Sequence, residues 1–235
     1  MENIWQTNQA AVAARYDAGL KRHMVGIYRT MAVGLLVTGA VAWGVASTPA
    51  LSAAIFGTPL KWVAMLAPLA FVMFFSFRID RMTTGGARAA FYGFSALMGV
   101  SLASLFLVFT GISIAQTFLV AAIMFGTVSL WGYSTNRDLS RWGSFLMMGV
   151  IGVVVASLVN ILLGSSTLHL IISLVGVAVF TALTAWDTQR AKSEYLAYAG
   201  TEAAEKLQVM SALGLYLNLI NLFQLLLTFT GQQRD

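Results

Sequence analysis

The chain has 235 residues, of which 58% are hydrophobic and 10% are charged, and its mean hydropathy is +0.79. A soluble domain is about 45–50% apolar and about 25% charged, so too little polar surface remains here to cover a globule in water. The absence of cysteine excludes disulfides, thiolate metal sites and a cysteine nucleophile. The net charge of +5 arises from short basic clusters beside apolar runs, a pattern that indicates membrane orientation and not a nucleic-acid-binding face.

Seven apolar runs are long enough to cross a bilayer as helices, which need roughly 20 mainly apolar residues each. They cover about residues 27–48, 62–78, 89–110, 113–133, 143–164, 168–188 and 207–230. The runs are continuous and lack the alternation of a transmembrane β-strand. We therefore predict an all-α integral membrane protein with seven transmembrane helices.

This prediction divides the chain into three parts. Residues 1–26 form a cytoplasmic N-terminal segment, residues 27–230 the seven-helix transmembrane domain, and residues 231–235 a short C-terminal tail. We expect no cleavable signal peptide, because the first 29 residues lack an early apolar core followed by a small-residue cleavage site. The long inner loop at residues 189–206 is rich in Ala, Glu and Lys, so we expect it to continue as helix.

The distribution of lysine and arginine predicts the orientation of the chain in the membrane. Twelve of these residues fall on one side of the predicted membrane, and only Lys61 and Arg234 fall on the other. Under the positive-inside rule this places the N-terminus in the cytoplasm and the C-terminus outside. The weakest boundary is the polar break at residues 110–113, and six spans instead of seven would put both ends inside. The residues that share the inner side are Arg15, Lys21, Arg22, Arg29, Arg78, Arg81, Arg88, Arg137, Arg141, Arg190, Lys192 and Lys206.

Small residues at four-residue spacing mark two predicted helix faces. Ser95, Gly99 and Ala103 share a face of the third span, and Gly152 and Ala156 share one on the fifth. Such faces allow helix backbones to approach closely in lipid. We interpret both as packing surfaces.

Asp187 ends the sixth apolar run and is the most informative charged residue. A carboxylate at the edge of the hydrocarbon should face the bundle and find a partner, because burying an unpaired charge is costly. Arg78 at the end of the short second span and Arg190, three residues along, are the candidate partners. The alternative interpretation is a hydrated carboxylate at a helix end, tied to Arg190.

The seventh span carries a polar stripe, because Asn218, Asn221 and Gln224 recur every three residues. Amides in hydrocarbon need partners, so the stripe should face other helices or a wet cavity, and Asn160 near the outer end of the fifth span could join it. The stripe can be interpreted in two ways that both remain open, as interhelical hydrogen bonding or as the lining of a conduction path.

The loop before the fifth span carries a candidate ion pair. Asp138 with Arg137 or Arg141 suits an interfacial anchor.

Enzyme signatures are missing from the sequence. The two histidines, His23 and His169, fall on opposite sides of the predicted membrane, and no HExxH, nucleophile elbow or P-loop is present. We therefore expect no enzymatic activity and no cofactor.

Four motifs together resemble the Bax inhibitor-1 family, also called the transmembrane Bax-inhibitor-motif family, and above all its bacterial branch. They are GYSTNRDLS at residues 132–140, LVN at residues 158–160, WDTQ at residues 186–189 and LYLNLINLF at residues 215–223. The resemblance implies seven helices with the last one central in the bundle, and a location in a bacterial inner membrane. It also implies a pH-sensitive calcium leak in which two aspartates, on helices six and seven, share a proton, while an arginine at the end of helix two latches the closed state.

Carried over residue by residue, the resemblance assigns Asp187 as the helix-six aspartate and Arg78 as the latch, with Arg81 as the runner-up. Asn218 occupies the place of the second aspartate, which removes the like-charge interaction on which a two-carboxylate switch depends. Calcium usually takes 6–8 oxygen ligands, so one carboxylate among amides predicts only weak, transient coordination at Asp187.

Two functions follow as alternatives. The first is a cation leak, with calcium as the expected ion, in which Asp187 and Arg78 form the inner gate and the amides of the stripe line the path; it predicts that Asp187→Ala opens or deregulates flux. The second is a non-transporting membrane protein that modulates a membrane-bound protease or another membrane complex. Its docking handle would be the segment from Glu2 to Arg29, and deletion of that segment would then abolish function.

Overall fold

The computed structural model describes the backbone of residues 2–234 and the side chains of residues 18–79 and 81–234. Apart from one isolated bridge, this part of the chain contains helices and no strands. Seven of the helices are long and apolar enough to cross a membrane, which confirms the predicted all-α membrane fold. The eight α-helices are α1 (Glu2–Ser47), α2 (Pro49–Phe56), α3 (Leu60–Arg78), α4 (Thr84–Val108), α5 (Gly111–Ser134), α6 (Gly143–Leu163), α7 (Ser166–Tyr198) and α8 (Glu202–Thr230).

Two helices extend beyond their apolar runs. α7 continues ten residues past 188, and α8 begins five residues before 207, so the expected helical continuation of residues 189–206 is confirmed. The two helices meet at a tight turn in which Gly200 adopts φ +82°, a left-handed conformation that glycine tolerates without strain. The short α2 was not predicted; Pro49 occupies its first turn, where a missing N–H costs nothing.

Capping side chains mark the starts of α4 and α5. The Thr83 and Thr110 hydroxyls accept the backbone N–H groups of Gly86 and Ser113 at the starts of α4 and α5. A hydroxyl in this position satisfies one of the unpaired donors of a helix N-terminus. The polar break at residues 110–113 is therefore a genuine helix start, which supports seven spans over six.

α8 is the central helix of the bundle. It packs against α1, α4, α5 and α7, and the side chains of Leu215, Tyr216 and Leu222 are fully buried. α4 and α5 are joined by only two residues but share few contacts with each other, because α4 packs mainly against α1 and α5 mainly against α7 and α8. α6 lies at the periphery, where α7 is its main neighbour.

The structure confirms one of the two predicted small-residue packing faces and contradicts the other. Ser95, Gly99 and Ala103 are buried, and an added Cβ at Gly99 would lie 2.7 Å from the backbone oxygen of Thr38, so α1 and α4 do pack closely there. Gly152 is exposed and has no atom within 4 Å of a Cβ built on it. The predicted packing face on the fifth span is wrong, because α6 turns that side away from the other helices.

The C-terminal residues are tied to the turn between α4 and α5. Gln233 forms an antiparallel bridge with Phe109, and the N–H of Thr110 donates to the oxygen of Gln232 at 3.0 Å. The N–H of Arg234 donates to the oxygen of Val108 at 2.9 Å. The tail therefore holds the end of the central helix against this turn.

Candidate gating site

The structure pairs Asp187 with Asn218. Asn218 Nδ2 donates a hydrogen bond to Asp187 Oδ2 at 2.7 Å, which joins α7 to the central helix. Asn218 is only 4% exposed, and Asp187 is half-buried. An amide donor is a favourable partner for a carboxylate in such a place, because an unpaired buried charge would be costly.

Glycines bring the helix backbones close around this pair. Gly214 lies one turn before Asn218, and a Cβ built on it would be 3.7 Å from Asp187 Oδ2, so the carboxylate rests over a gap in the α8 surface. On the opposite side of α7, a Cβ at Gly132 would lie 2.5 Å from the backbone oxygen of Ala185. α7 is therefore held between α5 and α8 at the level of Asp187.

The four residues of the WDTQ motif contact four different elements. Trp186 packs against Gly143 at the start of α6, and Asp187 bonds to α8. Thr188 Oγ1 lies 2.9 Å from Ser129 Oγ of α5. Gln189 accepts the N–H of Leu139 at 2.8 Å and donates to the oxygen of Arg137 at 2.8 Å, both in the loop between α5 and α6. One turn of α7 thus contacts its neighbours on several sides of the Asp187–Asn218 pair.

A chain of hydroxyl groups lies beside the pair. Tyr28 Oη of α1 is 2.7 Å from Ser129 Oγ, which in turn contacts Thr188. Thr188 also donates to the oxygen of Thr184 at 2.7 Å. The chain links α1, α5 and α7 one residue away from Asp187, so a movement of α7 would disturb both sets of hydrogen bonds.

Neither predicted arginine partner reaches Asp187. Arg190 Nε instead pairs with Glu194 Oε1 at 2.7 Å, one turn further along α7, and its guanidinium lies 5.4 Å from the Trp186 ring centroid. Arg78 is exposed at the end of α3, which packs mainly against α4. Among the described side chains, no ion pair joins either arginine to Asp187. The structure therefore supplies no contact for the latch assigned to Arg78, and its runner-up Arg81 is exposed too.

The remaining stripe residues are only partly brought together. Asn221 Nδ2 donates to the oxygen of Leu217 on its own helix at 2.9 Å, and Gln224 is half-buried farther along. Asn160 does not join the stripe, because its Oδ1 accepts the N–H of Ser165 at 3.2 Å and closes the end of α6. Only Asn218 of this group bridges to another transmembrane helix through its side chain.

Sequence reasoning missed Tyr216, which is fully buried on α8. Its hydroxyl lies 2.6 Å from Thr38 Oγ1 of α1, and the rings of Phe91 and Phe94 meet it edge to face at centroid distances of 5.5 and 5.8 Å. The only sequence signal was a tyrosine hydroxyl in the middle of an apolar run, which needs a partner when buried. This contact ties α8 to α1 and α4.

The loop anchor at Asp138 differs from the predicted ion pair. Asp138 Oδ1 accepts the backbone N–H of Ser140 at 2.9 Å, and the described residues give it no salt bridge to Arg137 or Arg141. This hydrogen bond holds the pKa of the Asp138 carboxyl below its usual range. The loop is therefore shaped by an aspartate turn and by Gln189.

The oxygen ligands at the pair of Asp187 and Asn218 are few. Asp187 supplies one carboxylate, and Asn218 adds an amide oxygen, against the 6–8 oxygen ligands that calcium usually takes. Within the described residues, no three His, Cys, Asp or Glu side chains lie close enough to hold a metal. The described residues therefore supply fewer oxygen ligands at this pair than calcium usually takes.

Comparison with known proteins gives the same family along nearly the whole chain. Residues 20–235 match the family model described as "Inhibitor of apoptosis-promoting Bax1". The chain is 43% identical over 220 residues to the inner membrane protein YbhL of Escherichia coli, which covers 92% of this chain and 94% of that protein. It is 44% identical over 220 residues to an uncharacterized protein of Rickettsia prowazekii, covering 94% and 93% of the two chains. It is 43% identical over 229 residues to an uncharacterized protein of Caulobacter vibrioides, covering 93% and 92%.

Proposed function

The chain belongs to the Bax inhibitor-1 family, and on this basis we propose that it conducts a slow leak of cations, with calcium as the expected ion, through the bundle beside α8. No enzymatic activity and no bound cofactor are part of this proposal. The relative YbhL is an inner membrane protein, and we extend that location to this chain. The excess of basic residues at one end of the bundle supports a cytoplasmic N-terminus and an outer C-terminus.

The observation that carries the proposal is the hydrogen bond between Asp187 and Asn218. It is a polar contact between a carboxylate and the central helix, between two helices that are long and apolar enough to cross a membrane. Intramembrane carboxylates are expensive and commonly mark ion pathways. In this proposal the bond holds α7 against α8 in the closed state, and its opening exposes a carboxylate that attracts cations.

Arg78 has no part in this closed state, because it is exposed on α3 away from the pair. The gate therefore consists of Asp187 and Asn218, supported by the hydroxyl chain that ends at Thr188. This narrower assignment differs from a latch in which an arginine neutralises the carboxylate.

Flux into proteoliposomes that contain the purified protein tests conduction. We expect calcium to enter faster than into protein-free liposomes, and we expect the wild-type rate to change little between pH 6 and 8, because Asn218 replaces a second carboxylate. Asn218→Asp should add pH dependence, since two adjacent carboxylates share a proton and titrate as a pair. Asp138→Asn is the matched control: it changes an aspartate in an exposed loop and should leave flux and its pH profile unchanged. A wild-type rate equal to that of protein-free liposomes at every pH would exclude conduction.

The second candidate function is a non-transporting partner of a membrane protease or another membrane complex. The observation in its favour is that two amides of α8 have partners inside the protein, Asn218 on Asp187 and Asn221 on Leu217, as packing alone would require. Its proposed docking segment, residues 2–29, lies largely outside the described side chains. Deleting residues 2–17 separates the two functions, because the leak should survive this deletion and a docking function should not.

A further inference from the structure

A cleft of about 500 Å³ opens between α1, α7 and α8, next to the turn that joins α7 to α8. One wall is formed by Gly19, Arg22 and His23 of α1, and the facing wall by Glu202, Glu205 and Gln208 of α8, with Tyr195 of α7 between them. The volume lies within the range of roughly 300–1,000 Å³ that is usual for small-molecule sites. The cleft is separate from the gating pair and is independent of the proposed leak.

His23 lies buried in the wall of this cleft, and one of its ring nitrogens lacks a partner. Its side chain is 6% exposed, its ring centroid is 4.9 Å from that of Tyr195, and Nε2 has no hydrogen-bond partner among the described side chains. Buried polar atoms in proteins are nearly always hydrogen-bonded, so an exception needs an explanation. A group that enters the cleft could supply the missing partner.

Two glycines of α1 shape the cleft on either side of His23. A Cβ added at Gly19 would overlap the Tyr195 hydroxyl, and one at Gly26 would lie 2.6 Å from Gln208 Nε2. The polar ends of Tyr195 and Gln208 therefore rest directly on the α1 backbone. The cleft is a packed feature of three helices and not a gap between loosely associated ones.

The two walls carry opposite charge. Arg22 gives the α1 wall a positive charge, while Glu202 and Glu205 lie on the α8 wall. Glu202 pairs with Lys206 at 3.3 Å, whereas no ion pair is found for Glu205 among the described side chains. The cleft is therefore complementary to a ligand with an anionic group at one end and an ammonium group at the other.

The predicted apolar runs place the cleft at the depth of lipid headgroups. His23 precedes the apolar run that begins at residue 27 by four residues, and Glu205 precedes the run at residue 207 by two. At 1.5 Å per residue these positions are about 6 and 3 Å outside the hydrocarbon. The headgroup layer is roughly 5–8 Å thick on each side, so both walls fall within it.

We propose that this cleft binds a phosphate–amine zwitterion of the kind found in the headgroup of an aminophospholipid. The phosphate lies between Arg22 and His23, where Nε2 gains its missing hydrogen-bond partner. The primary ammonium donates to Glu205. No metal is needed, in agreement with the lack of a three-residue His, Cys, Asp and Glu cluster in the described part of the chain.

The test uses the full-length protein in two arms. In the first, O-phosphoethanolamine is titrated into detergent-purified protein by calorimetry. In the second, protein from nanodiscs that contain either phosphatidylethanolamine or phosphatidylcholine is examined by native mass spectrometry for retained lipid. The cleft variants are Arg22→Gln and Glu205→Gln, both at exposed positions where folding should be kept. Lys21→Gln is the matched control, because Lys21 is exposed on the same helix and does not line the cleft.

We expect saturable binding by the wild type and by Lys21→Gln, with each cleft variant weakened about tenfold, as for the loss of one charged hydrogen bond. Retention of phosphatidylethanolamine above phosphatidylcholine identifies a lipid, because a quaternary ammonium cannot donate to Glu205. Binding of O-phosphoethanolamine without lipid retention keeps the same chemistry with a soluble source. The proposal is overturned if the wild type binds neither probe, if both lipids are retained equally, or if Lys21→Gln weakens binding as much as the cleft variants do.

Discussion

Gly132→Ala should force apart the two helices that position Asp187. A Cβ at this site would lie 2.5 Å from the backbone oxygen of Ala185 and 2.8 Å from its Cα. Ordinary contacts between such atoms are about 3.5–4.0 Å, so α5 and α7 would have to separate by about 1 Å. Backbone atoms cannot swing aside as a flexible side chain can. The shift would also stretch the 2.9 Å contact between Ser129 and Thr188 beyond hydrogen-bond range.

The expected cost follows from three contributions. Overpacking costs about 1–3 kcal/mol, the lost hydroxyl contact about 0.5–1.5 kcal/mol, and the better helix propensity of alanine returns about 1 kcal/mol. The free energy of unfolding should therefore fall by roughly 0.5–3.5 kcal/mol. By the scaling for soluble proteins of this length, the apparent Tm should drop by roughly 1–14 °C.

Thermal unfolding in detergent, with wild type and variants in the same micelle, checks this. Gly126→Ala is the matched control on the same helix, because a Cβ there has no atom within 4 Å and gains only helix propensity. Its Tm should be equal to or slightly above that of the wild type. If Gly132→Ala and Gly126→Ala have the same Tm, the close approach of α5 and α7 is refuted.

Three further predictions concern single side chains. Tyr216→Phe should lower the free energy of unfolding in chemical denaturation by about 0.5–1.5 kcal/mol, because it removes the buried hydroxyl contact to α1. Tyr198→Phe, at an exposed position, should leave this free energy unchanged. Equal free energies of unfolding for the two variants would contradict this. Gln189→Ala should speed amide hydrogen exchange at Leu139, whose N–H it accepts, and unchanged exchange would show that the loop does not depend on it. The Asp138 carboxyl should titrate by NMR below its ordinary pKa of 3.8, so that its contribution to stability is complete above that pH and is lost as the pH falls through the lowered pKa; a raised pKa would contradict the turn geometry.

The helices could be predicted from the sequence because bilayer thickness fixes the length of an apolar run. The start of α6 and the end of α3 coincide with the predicted boundaries. The extension of α7 to Tyr198 was also predictable from its helix-forming residues. α2 was missed because eight residues after a proline are too short to stand out from a loop.

Residue spacing alone did not predict the partner of Asp187, because it defines a face along one helix but not how that helix is rotated against its neighbours. The family resemblance did imply it, since Asn218 stands in the place of an aspartate that shares a proton with the helix-six aspartate. Arg190 and Asn218 were both polar groups within reach, and the structure gives Arg190 to Glu194 and Asn218 to Asp187. The same limit explains why Gly99 packs against α1 while Gly152 on α6 is exposed, although both belong to small-residue faces.

The rate of calcium entry into proteoliposomes with Asp187→Ala and with Asp187→Asn tests the central claim most directly. Asparagine can still accept the hydrogen bond that Asn218 donates at 2.7 Å, so it should keep α7 and α8 together while removing the charge that attracts cations. Alanine removes both the bond and the side chain. We predict that Asp187→Ala leaks faster than the wild type and that Asp187→Asn leaks no faster. Equal rates for the two variants, or an Asp187→Ala rate at the level of protein-free liposomes, would contradict a gate built on this pair.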